Sequence, residues 1–362
     1  MHLVINATEI GRQRGGNESY LLGLLKGLED LTAPSRVTLL LTSAGMAALQ
    51  GVASDRFDFV NVGDYRRLPF YLWQQTAVLR RLHPDWYLST FFLPPIIPCR
   101  AAVLVHDLSF RAHPEYYPSL IAFYMRFLTG LAIRRAERVI VLSEFTRQEL
   151  MRFHPTVVGK TVVVYPGVEQ SFRFDEEPDD ESVLKTYGSS PGYILATGNI
   201  HPRKNLARLL DAYLRLRQRR GAMPAMVWVG LQRWGSGELL ERARSAGVIL
   251  TGFVAQEDLP AFYRQAVMLA YPSLYEGFGL PLLEAMACGT PVIASNTTSL
   301  PEVVGEAALS VDPTDVEAIA AAMARLLDDT PLWERLRQTG IERARQFTWK
   351  QTARCLVASL GS

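Results

Sequence analysis

Cysteine is scarce in this sequence, and the three that are present lie far apart. Cys99, Cys288 and Cys355 form no C-x-x-C pair, which is the spacing that many zinc and redox sites use. We therefore expect neither a disulfide framework nor a zinc knuckle. The sequence also lacks a strong charge of one sign, since 38 Lys+Arg stand against 36 Asp+Glu. Such an even balance of charge argues against a dedicated nucleic-acid-binding protein.

Long hydrophobic runs are missing as well. No stretch reaches the roughly 18 uncharged apolar residues that a spanning helix needs, and the chain opens with a run of only three apolar residues before Asn6. Because a secretory signal needs a longer apolar region after a basic start, we expect a cytoplasmic protein.

The closest approach to such a run is Ser119–Val139, which is aromatic, apolar and basic. A helix of that kind can lie on an anionic membrane surface, which would make the protein a peripheral membrane visitor. The alternative, which we favour from the sequence alone, is an amphipathic helix packed on a sheet with a solvated basic end.

Enough apolar material for two cores is present, since 48% of the 362 residues are hydrophobic. Short runs that are apolar throughout, such as HLVIN and AAVLVHD, alternate with segments of helical period. That pattern predicts parallel sheets covered on both faces. We expect an α/β fold of two doubly wound, Rossmann-like domains at residues 1–170 and 188–345, joined by an acidic linker at residues 171–187.

The strongest local signal is YPSLYEGFGLPLLEAMACGTPVIASN. It predicts a strand over Val267–Tyr271, a loop over Tyr275–Leu280, and a helix whose first residue is Pro281. Gly277 and Gly279 allow the backbone to approach a ligand closely, and the helix dipole then favours phosphate oxygens.

Two carboxylates flank this helix start and would repel a diphosphate unless they bound something else. Hydrogen bonding to sugar hydroxyls is the obvious role, with Glu276 suited to a hexose and Glu284 to a ribose. For Glu284 the alternative is simple complementarity with the helix dipole, because we expect it in the first turn.

A second signal is YILATGNIHPRKNLARLLDAY. A strand is predicted to end near Thr197, and a loop with Gly198 leads to Arg203-Lys204 just before the next helix. Cations at that end of a helix oppose its dipole, so they need another purpose. A guanidinium fork beside a mobile ammonium group suits a diphosphate.

Together, Gly198, Pro202–Asn205 and Glu276–Glu284 closely resemble the group 1 (family 4) retaining glycosyltransferases. The flanking phrases GFVAQEDLPAFY and ACGTPVIASNTTSLPEVVGEAALSVDP extend the resemblance over the second half, and GGNESYL, VHDLSF and VLSEFTRQEL continue it more loosely in the first. The resemblance implies a GT-B architecture, in which two Rossmann-like domains face each other across a cleft. It also implies that residues 346–362 form a helix returning to the first domain.

By the same resemblance, the C-terminal domain holds a nucleoside-diphosphate sugar and the N-terminal domain takes most of the acceptor. His106 would approach the reacting centre, and Gly15 and Gly16 would pass under the donor phosphates. The implied catalytic residues are His106, Arg203, Lys204 and Glu276. The implied donor-binding residues are Gly15, Gly16, Gly198, Arg203, Lys204, Gly230, Val254, Glu276, Gly277, Phe278, Gly279, Leu280 and Glu284.

The implied reaction moves a hexose from GDP-mannose or a UDP-hexose to a hydroxyl of a glycan or lipid-linked glycan, with retention. The chain holds no strict Asp-x-Asp, so we expect metal-independent transfer and no cofactor. A slight preference for mannose rests on resemblance alone. Two alternatives remain open at this point, namely a non-catalytic nucleotide-sugar-binding module and a nucleotide-sugar epimerase on the same fold.

Overall fold

A computed structural model describes residues 1–12, 15–29, 31–50, 56–63, 70–175, 177, 179–232 and 237–361. These residues divide into two units. The first comprises Met1–Gly167 together with Thr348–Ser362, and the second comprises Val168–Phe347.

In the first unit, the described strands form a seven-stranded sheet in the order β3-β2-β1-β4-β5-β6-β7. All of its pairings are parallel. The strands are β1 His2–Asn6, β2 Arg36–Leu41, β3 Phe57–Asn61, β4 Trp86–Thr90, β5 Arg100–Val105, β6 Arg138–Val141 and β7 Thr161–Val163.

Helices cover this sheet, which explains why its central strands are apolar at successive positions rather than at alternate ones. Leu3, Val4 and Ile5 of β1 are all fully buried. The α-helices of this unit are α1 Gly16–Glu29, α2 Ser43–Ala48, α3 Gln75–Leu82, α4 Ser109–Ala112, α5 Ser119–Arg135, α6 Glu144–Phe153 and, from the end of the chain, α15 Trp349–Gly361. Short helices of other types cover Phe70–Gln74, Pro114–Tyr116 and Pro155–Lys160.

Helix α15 packs against α1 at two glycines. A Cβ on Gly23 would lie 2.0 Å from Cε2 of Trp349, and a Cβ on Gly27 would lie 2.1 Å from the Trp349 carbonyl oxygen. Gly167 approaches Trp349 equally closely. Since any side chain at these positions would clash, glycine allows the end of the chain to dock on the first unit.

The long helix α5 has two different faces. Ala132 and Ile133 are buried in a core cluster with residues of β5 and β6. The other face leaves large apolar side chains in solvent, including Phe123 and Phe127. One face of α5 thus packs on the sheet, and the other face carries an exposed aromatic stripe. No helix among the described residues combines the length and the apolar character needed to cross a membrane.

In the second unit, the described strands form a six-stranded parallel sheet in the order β10-β9-β8-β11-β12-β13. The strands are β8 Tyr193–Thr197, β9 Met226–Val229, β10 Ile249–Gly252, β11 Ala266–Tyr271, β12 Val292–Ser295 and β13 Ala308–Val311. The α-helices are α7 Asp180–Thr186, α8 Leu206–Arg220, α9 Gly237–Ser245, α10 Leu259–Arg264, α11 Leu280–Ala287, α12 Leu300–Val304, α13 Val316–Asp328 and α14 Thr330–Ala344. The expected α/β fold with two Rossmann-like sheets is confirmed.

The segment expected as an acidic linker contributes structure to the second unit. Helix α7 lies within it, and the Asp180 carboxylate pairs with the Arg264 guanidinium at 2.6 Å, with both side chains about 4% exposed. The buried pair ties this segment to α10. The unit itself begins at Val168, whose N–H donates to the carbonyl of Phe347 at the other end of the unit.

Candidate active site

The loops that follow β8, β9 and β11 lie at one edge of the second sheet, because these strands are neighbours and run parallel. The carboxyl ends of such strands are the usual ligand edge of a doubly wound sheet. Two glycines bring the first two loops together. Gly198 and Gly230 both have positive φ, and a Cβ on Gly230 would lie 2.2 Å from the Gly198 carbonyl oxygen. Both positions therefore require glycine.

Arg203 and Lys204 lie on a single 3-10 turn, Pro202–Lys204, between β8 and α8. The ring of His201 accepts a hydrogen bond from the Arg203 N–H, so His201 caps and shapes this turn. The turn is also held from the other side, because the Leu274 N–H donates to the Arg203 carbonyl at 2.7 Å. The two cations are thereby fixed next to the loop that follows β11.

Glu276 lies between the two cations. Its Oε2 is 2.6 Å from Nη1 of Arg203, and its Oε1 is 2.6 Å from Nζ of Lys204. Lys204 and Glu276 are both buried, and Arg203 is partly exposed. Burial alone would raise the pKa of the Glu276 carboxyl, but the charges of Arg203 and Lys204 hold that pKa at about 2. Glu276 is therefore ionised at all ordinary pH values.

Tyr271, the last residue of β11, completes this cluster. Its hydroxyl donates to Oε1 of Glu276 at 3.0 Å and accepts a hydrogen bond from the Lys204 ammonium group. The ammonium also lies 4.5 Å from the centre of the Tyr271 ring. Burial and the neighbouring Glu276 charge raise the pKa of Tyr271 well above its ordinary value, so the hydroxyl keeps its proton. Tyr271 therefore holds the ammonium group and the carboxylate together.

The glycine loop ahead of α11 is built for a close turn. Gly279 has φ +106°, and a Cβ there would lie 2.8 Å from Leu300. The Ser299 hydroxyl contacts the carbonyl oxygens of Glu276 and Phe278 at 2.9 and 3.0 Å, which holds the loop against α12. The side chain of Phe278 is buried and packs on Phe347, so only its backbone is offered to a ligand.

Helix α11 begins at Leu280, one residue before the predicted Pro281. The prediction that Glu284 lies in the first turn is wrong, because counting from Leu280 puts it in the second. Complementarity with the helix dipole falls off within the first turn, so it no longer accounts for this carboxylate. Oε2 of Glu284 instead accepts a hydrogen bond of 2.7 Å from the Tyr263 hydroxyl. Burial raises the pKa of Glu284 to about 7, against the opposing effects of Tyr263 and Lys204.

The remaining predicted donor contacts of the second unit are spread along the same sheet edge. Gly277 lies in the glycine loop, directly after Glu276. Val254 follows β10, the strand beside β9, and its side chain is buried. No group of three or more His, Cys, Asp or Glu in the described ranges is arranged to hold a metal ion.

His106, in the first unit, directly follows β5 and sits among aromatic rings. Its ring centre is 5.3 Å from that of Tyr20 and 5.7 Å from that of Phe91. Burial lowers the pKa of His106 to about 4, against the opposing charge of Asp107. Its Nε2 is buried and has no hydrogen-bond partner among the described residues. The imidazole is therefore neutral at physiological pH and keeps an unused polar atom.

Three other features of the first unit lie at loop and helix starts. Asp107 accepts hydrogen bonds from the N–H and hydroxyl of Ser109, so it caps the turn after β5. Ser143 caps α6 by accepting a hydrogen bond from the Thr146 N–H. Gly15 has φ +90°, and Gly16 begins α1 with open space around its Cβ position. Positions 13 and 14 of the same loop lie outside the described residues.

Sequence reasoning missed the polar side chains that hold the site from behind. Tyr271 and Tyr263 resemble ordinary core aromatics in sequence, and Ser299 is separated from the loop it supports by about twenty residues. Asn205 had a local signal, since it follows the two cations directly. It adopts φ +58°, and its amide donates to the carbonyls of Pro272 and Pro313.

Comparisons with known proteins show the family and the fold. The family described as "Glycosyl transferases group 1" matches residues 191–329, and "Glycosyltransferase Family 4" matches residues 14–172. Over its full length the chain is similar in fold to a crystal structure of Alr3699/HepE of Anabaena in complex with UDP and glucose. The TM-score is 0.75, the identity 18%, and the alignment covers 100% of this chain and 99% of that one. The structure of WaaG, a glycosyltransferase involved in lipopolysaccharide biosynthesis, gives the same TM-score at 15% identity and covers 99% of this chain and 98% of that one.

The matched families and the fold thus define the class of this protein as the GT-B glycosyltransferases. Curated relatives narrow the class of protein further. The chain is 37% identical to the O-antigen chain mannosyltransferase B of Escherichia coli over 265 residues, which is 72% of this chain and 69% of the relative. It is 30% identical to the serotype-specific mannosyltransferase WbdA of the same organism over 275 residues, and there it spans only about a third of the relative's length. This chain belongs to the group 1 (family 4) glycosyltransferases.

Proposed function

We propose that this protein transfers a hexose from a nucleoside-diphosphate sugar to a hydroxyl of a glycan or lipid-linked glycan, with retention of anomeric configuration. The observation that supports the proposal is the convergence of Arg203, Lys204 and Glu276 beside the glycine loop of α11. A guanidinium and an ammonium next to a helix N-terminus match the charge of a diphosphate leaving group.

In the proposed reaction, the acceptor oxygen attacks the anomeric carbon as the bond from that carbon to the phosphate oxygen breaks. Negative charge grows on the departing diphosphate, and positive potential from Arg203, Lys204 and the backbone N–H groups at Gly279 and Leu280 stabilises it. The acceptor's proton passes to the departing phosphate oxygen on the same face of the sugar, so no protein nucleophile is required.

Glu276 has a double role in this proposal. In the structure its two oxygens are paired with the cations that would bind the diphosphate. A bound diphosphate competes for those cations and leaves the carboxylate oxygens able to accept hydrogen bonds from sugar hydroxyls. Glu284, with its pKa near 7, would contact the ribose.

The donor is proposed to be GDP-mannose, with a UDP-hexose as the second candidate. Support for mannose comes from the names of the curated relatives, an O-antigen chain mannosyltransferase and a serotype-specific mannosyltransferase. Support for a UDP-hexose comes from the structural likeness to a protein crystallised with UDP and glucose. An acceptor of the O-antigen type is a cell-envelope polysaccharide, and an enzyme using a nucleotide sugar to build it would work on the cytoplasmic side of the membrane.

The first unit's share in the reaction is proposed from the family resemblance. His106, Gly15 and Gly16 are assigned to the donor, and most of the acceptor is assigned to the first unit. Metal independence is proposed because two fixed cations supply positive charge at the diphosphate.

A thermal-shift panel of GDP-mannose, UDP-glucose, UDP-galactose and their diphosphates tests the proposal first. Preferential stabilisation identifies the base and then the sugar. NMR of the product formed on a mannan-type acceptor then reads the anomeric configuration, and an inverted product contradicts retention. Loss of sugar transfer when a metal chelator is added would contradict metal independence. Donor incubated without acceptor must stay unchanged, since isomerised sugar would identify an epimerase, and binding without any turnover would identify a non-catalytic module.

A further inference from the structure

Most of the large apolar side chains that this protein leaves in solvent are gathered in one part of the first unit. Of the twelve exposed large hydrophobic residues in the described ranges, eight come from three short segments, residues 70–76, 91–98 and 119–135. We call these eight the aromatic face: Leu72, Trp73, Ile96, Leu120, Ile121, Phe123, Phe127 and Leu131. Scattered single exposures are normal on protein surfaces, but a gathered set indicates an interaction site.

Direct contacts hold the three segments together. The Thr76 hydroxyl donates to the carbonyl of Ile96 at 2.8 Å, which joins the first segment to the second. Arg135 donates to the carbonyls of Pro94 and Pro95, which joins the second segment to helix α5. The segments therefore form a continuous part of one surface.

Rings complete the connection. The ring centres of Tyr71 and Phe92 lie 5.5 Å apart, and those of Phe92 and Tyr124 lie 5.8 Å apart. These rings run from the first segment to α5 beneath the exposed side chains. On α5 itself, Phe123 and Phe127 stack with ring centres 6.5 Å apart. The aromatic face is thus supported by a row of packed rings.

The side chains of this face project well into solvent. Trp73 is 73% exposed, Leu120 79%, Phe123 68% and Phe127 63%. On α5, Leu120, Phe123, Phe127 and Leu131 are spaced three or four residues apart, so these four form one stripe along the helix. The opposite side of the helix, with Ala132 and Ile133, is buried in the core. One side of the helix is therefore packed in the core, and the stripe on the other side is exposed to solvent.

Charge favours one kind of occupant. The three segments, residues 70–76, 91–98 and 119–135, hold three arginines and no aspartate or glutamate. These arginines, Arg126, Arg134 and Arg135, are exposed on α5. Glu137, which follows the third segment, pairs with Arg100 at 2.8 Å. A second copy of this chain would bring positive charge against positive charge, whereas an anionic surface would be attracted.

From these observations we infer that the aromatic face docks on the headgroup region of an anionic phospholipid bilayer. Trp and Phe side chains insert at the boundary between headgroups and acyl chains, and the arginines contact lipid phosphates. This inference deepens the proposed use of a lipid-linked acceptor, yet it stands on surface chemistry alone and does not depend on the donor. It would bring the first unit to the membrane where such an acceptor is held.

Vesicle flotation with the full-length protein tests the inference. The probes are vesicles of phosphatidylcholine alone and vesicles of three parts phosphatidylcholine to one part phosphatidylglycerol. The protein is expected to float with the anionic vesicles, and more weakly as salt is raised, because the arginine contribution is screened. Equal recovery on both kinds of vesicle, or none on either, would overturn the inference.

Variants then assign binding to the face. Phe123→Ser with Phe127→Ser should lower partition onto anionic vesicles by at least about tenfold, since two exposed aromatic anchors are lost. Arg126→Gln should lower it by about fivefold. Phe174→Ser is the matched control, because Phe174 is an exposed phenylalanine of the second unit, and its partition should equal that of the wild type. If the double variant also binds as the wild type does, the face is not the docking surface.

Trp73 supplies an independent spectroscopic signal. Its fluorescence should shift to the blue when anionic vesicles are added, and Trp73→Phe should abolish most of that shift while vesicle binding continues. A shift that persists in Trp73→Phe places the tryptophan outside the membrane contact.

Sedimentation in vesicle-free buffer tests whether a second copy of the chain occupies this face instead. If the wild type is a dimer and the Phe123→Ser, Phe127→Ser double variant is a monomer, the face is an interface between copies. Turnover on a water-soluble acceptor should be unchanged in every face variant, which separates failure here from failure of the proposed function.

Discussion

Replacing Glu276 with glutamine should destabilise the protein and at the same time strengthen its binding of nucleoside diphosphates. The carboxylate is buried between two cations, and its pKa is held at about 2 instead of its ordinary 4.5. A depression of about 2.5 units corresponds to about 3 kcal/mol that favours the charged over the neutral form. Glutamine has the shape of the neutral form, so Glu276→Gln should lose about that much stability and leave two cations without their counter-charge.

For a unit of this size, about 3 kcal/mol corresponds to a fall in Tm of about 6–12 °C. The sign with pH follows from the same pKa. Because the folded pKa is depressed, the stabilisation is fully present above about pH 4.5 and is lost as the pH falls towards 2. The difference in Tm between wild type and variant should therefore be constant from neutral pH down to about pH 5 and should shrink below it.

Binding of nucleoside diphosphates to Glu276→Gln distinguishes a diphosphate site from a purely structural ion pair. In the wild type a diphosphate must displace the Glu276 carboxylate from Arg203 and Lys204, whereas in Glu276→Gln no such competitor is present. GDP or UDP should therefore raise the Tm of the variant by more than it raises that of the wild type, while sugar transfer falls. Glu241→Gln, at an exposed position of α9, is the matched control and should change neither quantity. A destabilised variant with no added response to diphosphate would refute the reasoning, because the two cations would then serve the fold and not a ligand.

Three further predictions follow from the same structure. Arg203→Ala should lower kcat/KM by about a hundredfold or more while circular dichroism stays native, because a fixed positive charge at the leaving group is lost; wild-type turnover would remove its assigned role. Glu284→Gln should be as stable as wild type near pH 4 and more stable by about 1–3 kcal/mol at pH 8, because the folded pKa of Glu284 is raised to about 7 and its ionisation costs stability as the pH rises from about 4.5 to 7. Urea midpoints at the two pH values measure this. The same difference in stability between variant and wild type at both pH values would contradict it. Gly27→Ala should lower the free energy of unfolding by about 1–3 kcal/mol, because the added Cβ would lie 2.1 Å from the Trp349 carbonyl oxygen. Gly159→Ala is the control, since its Cβ would have nothing within 4 Å, and thermal melts should show it to be as stable as the wild type.

Much of the fold could be predicted because its signals are local. An apolar run with β-branched residues, followed by a helical period, is legible in a short window, and the predicted strand at Val267–Tyr271 differs from the observed Ala266–Tyr271 by one residue. Glycine and proline around the start of α11 are also local signals. They located the helix within one residue but did not show that Glu284 falls in its second turn, since that depends on which residue makes the first helical hydrogen bond.

The site could be predicted only as separate parts. Two motifs about seventy residues apart were each assigned to a diphosphate from their own chemistry, and the structure brings Arg203 and Lys204 each within hydrogen-bond distance of Glu276. Their direct pairing was not predicted. Neither was the contribution of Tyr271, because an aromatic residue at the end of a buried strand has the same sequence signature whether or not its hydroxyl is used.

By itself, then, the amino-acid sequence determined the two parallel α/β sheets, the loops that carry the charged groups and the family to which the chain belongs. Hydrophobic period, glycine and proline act over a few residues, so a single chain suffices to read them. Only the tertiary structure decided that one carboxylate pairs with two cations, that Gly23 and Gly27 receive the last helix, and that three distant segments share one exposed aromatic face. Those properties arise from residues far apart in the chain, where packing and burial set both the distances and the energies.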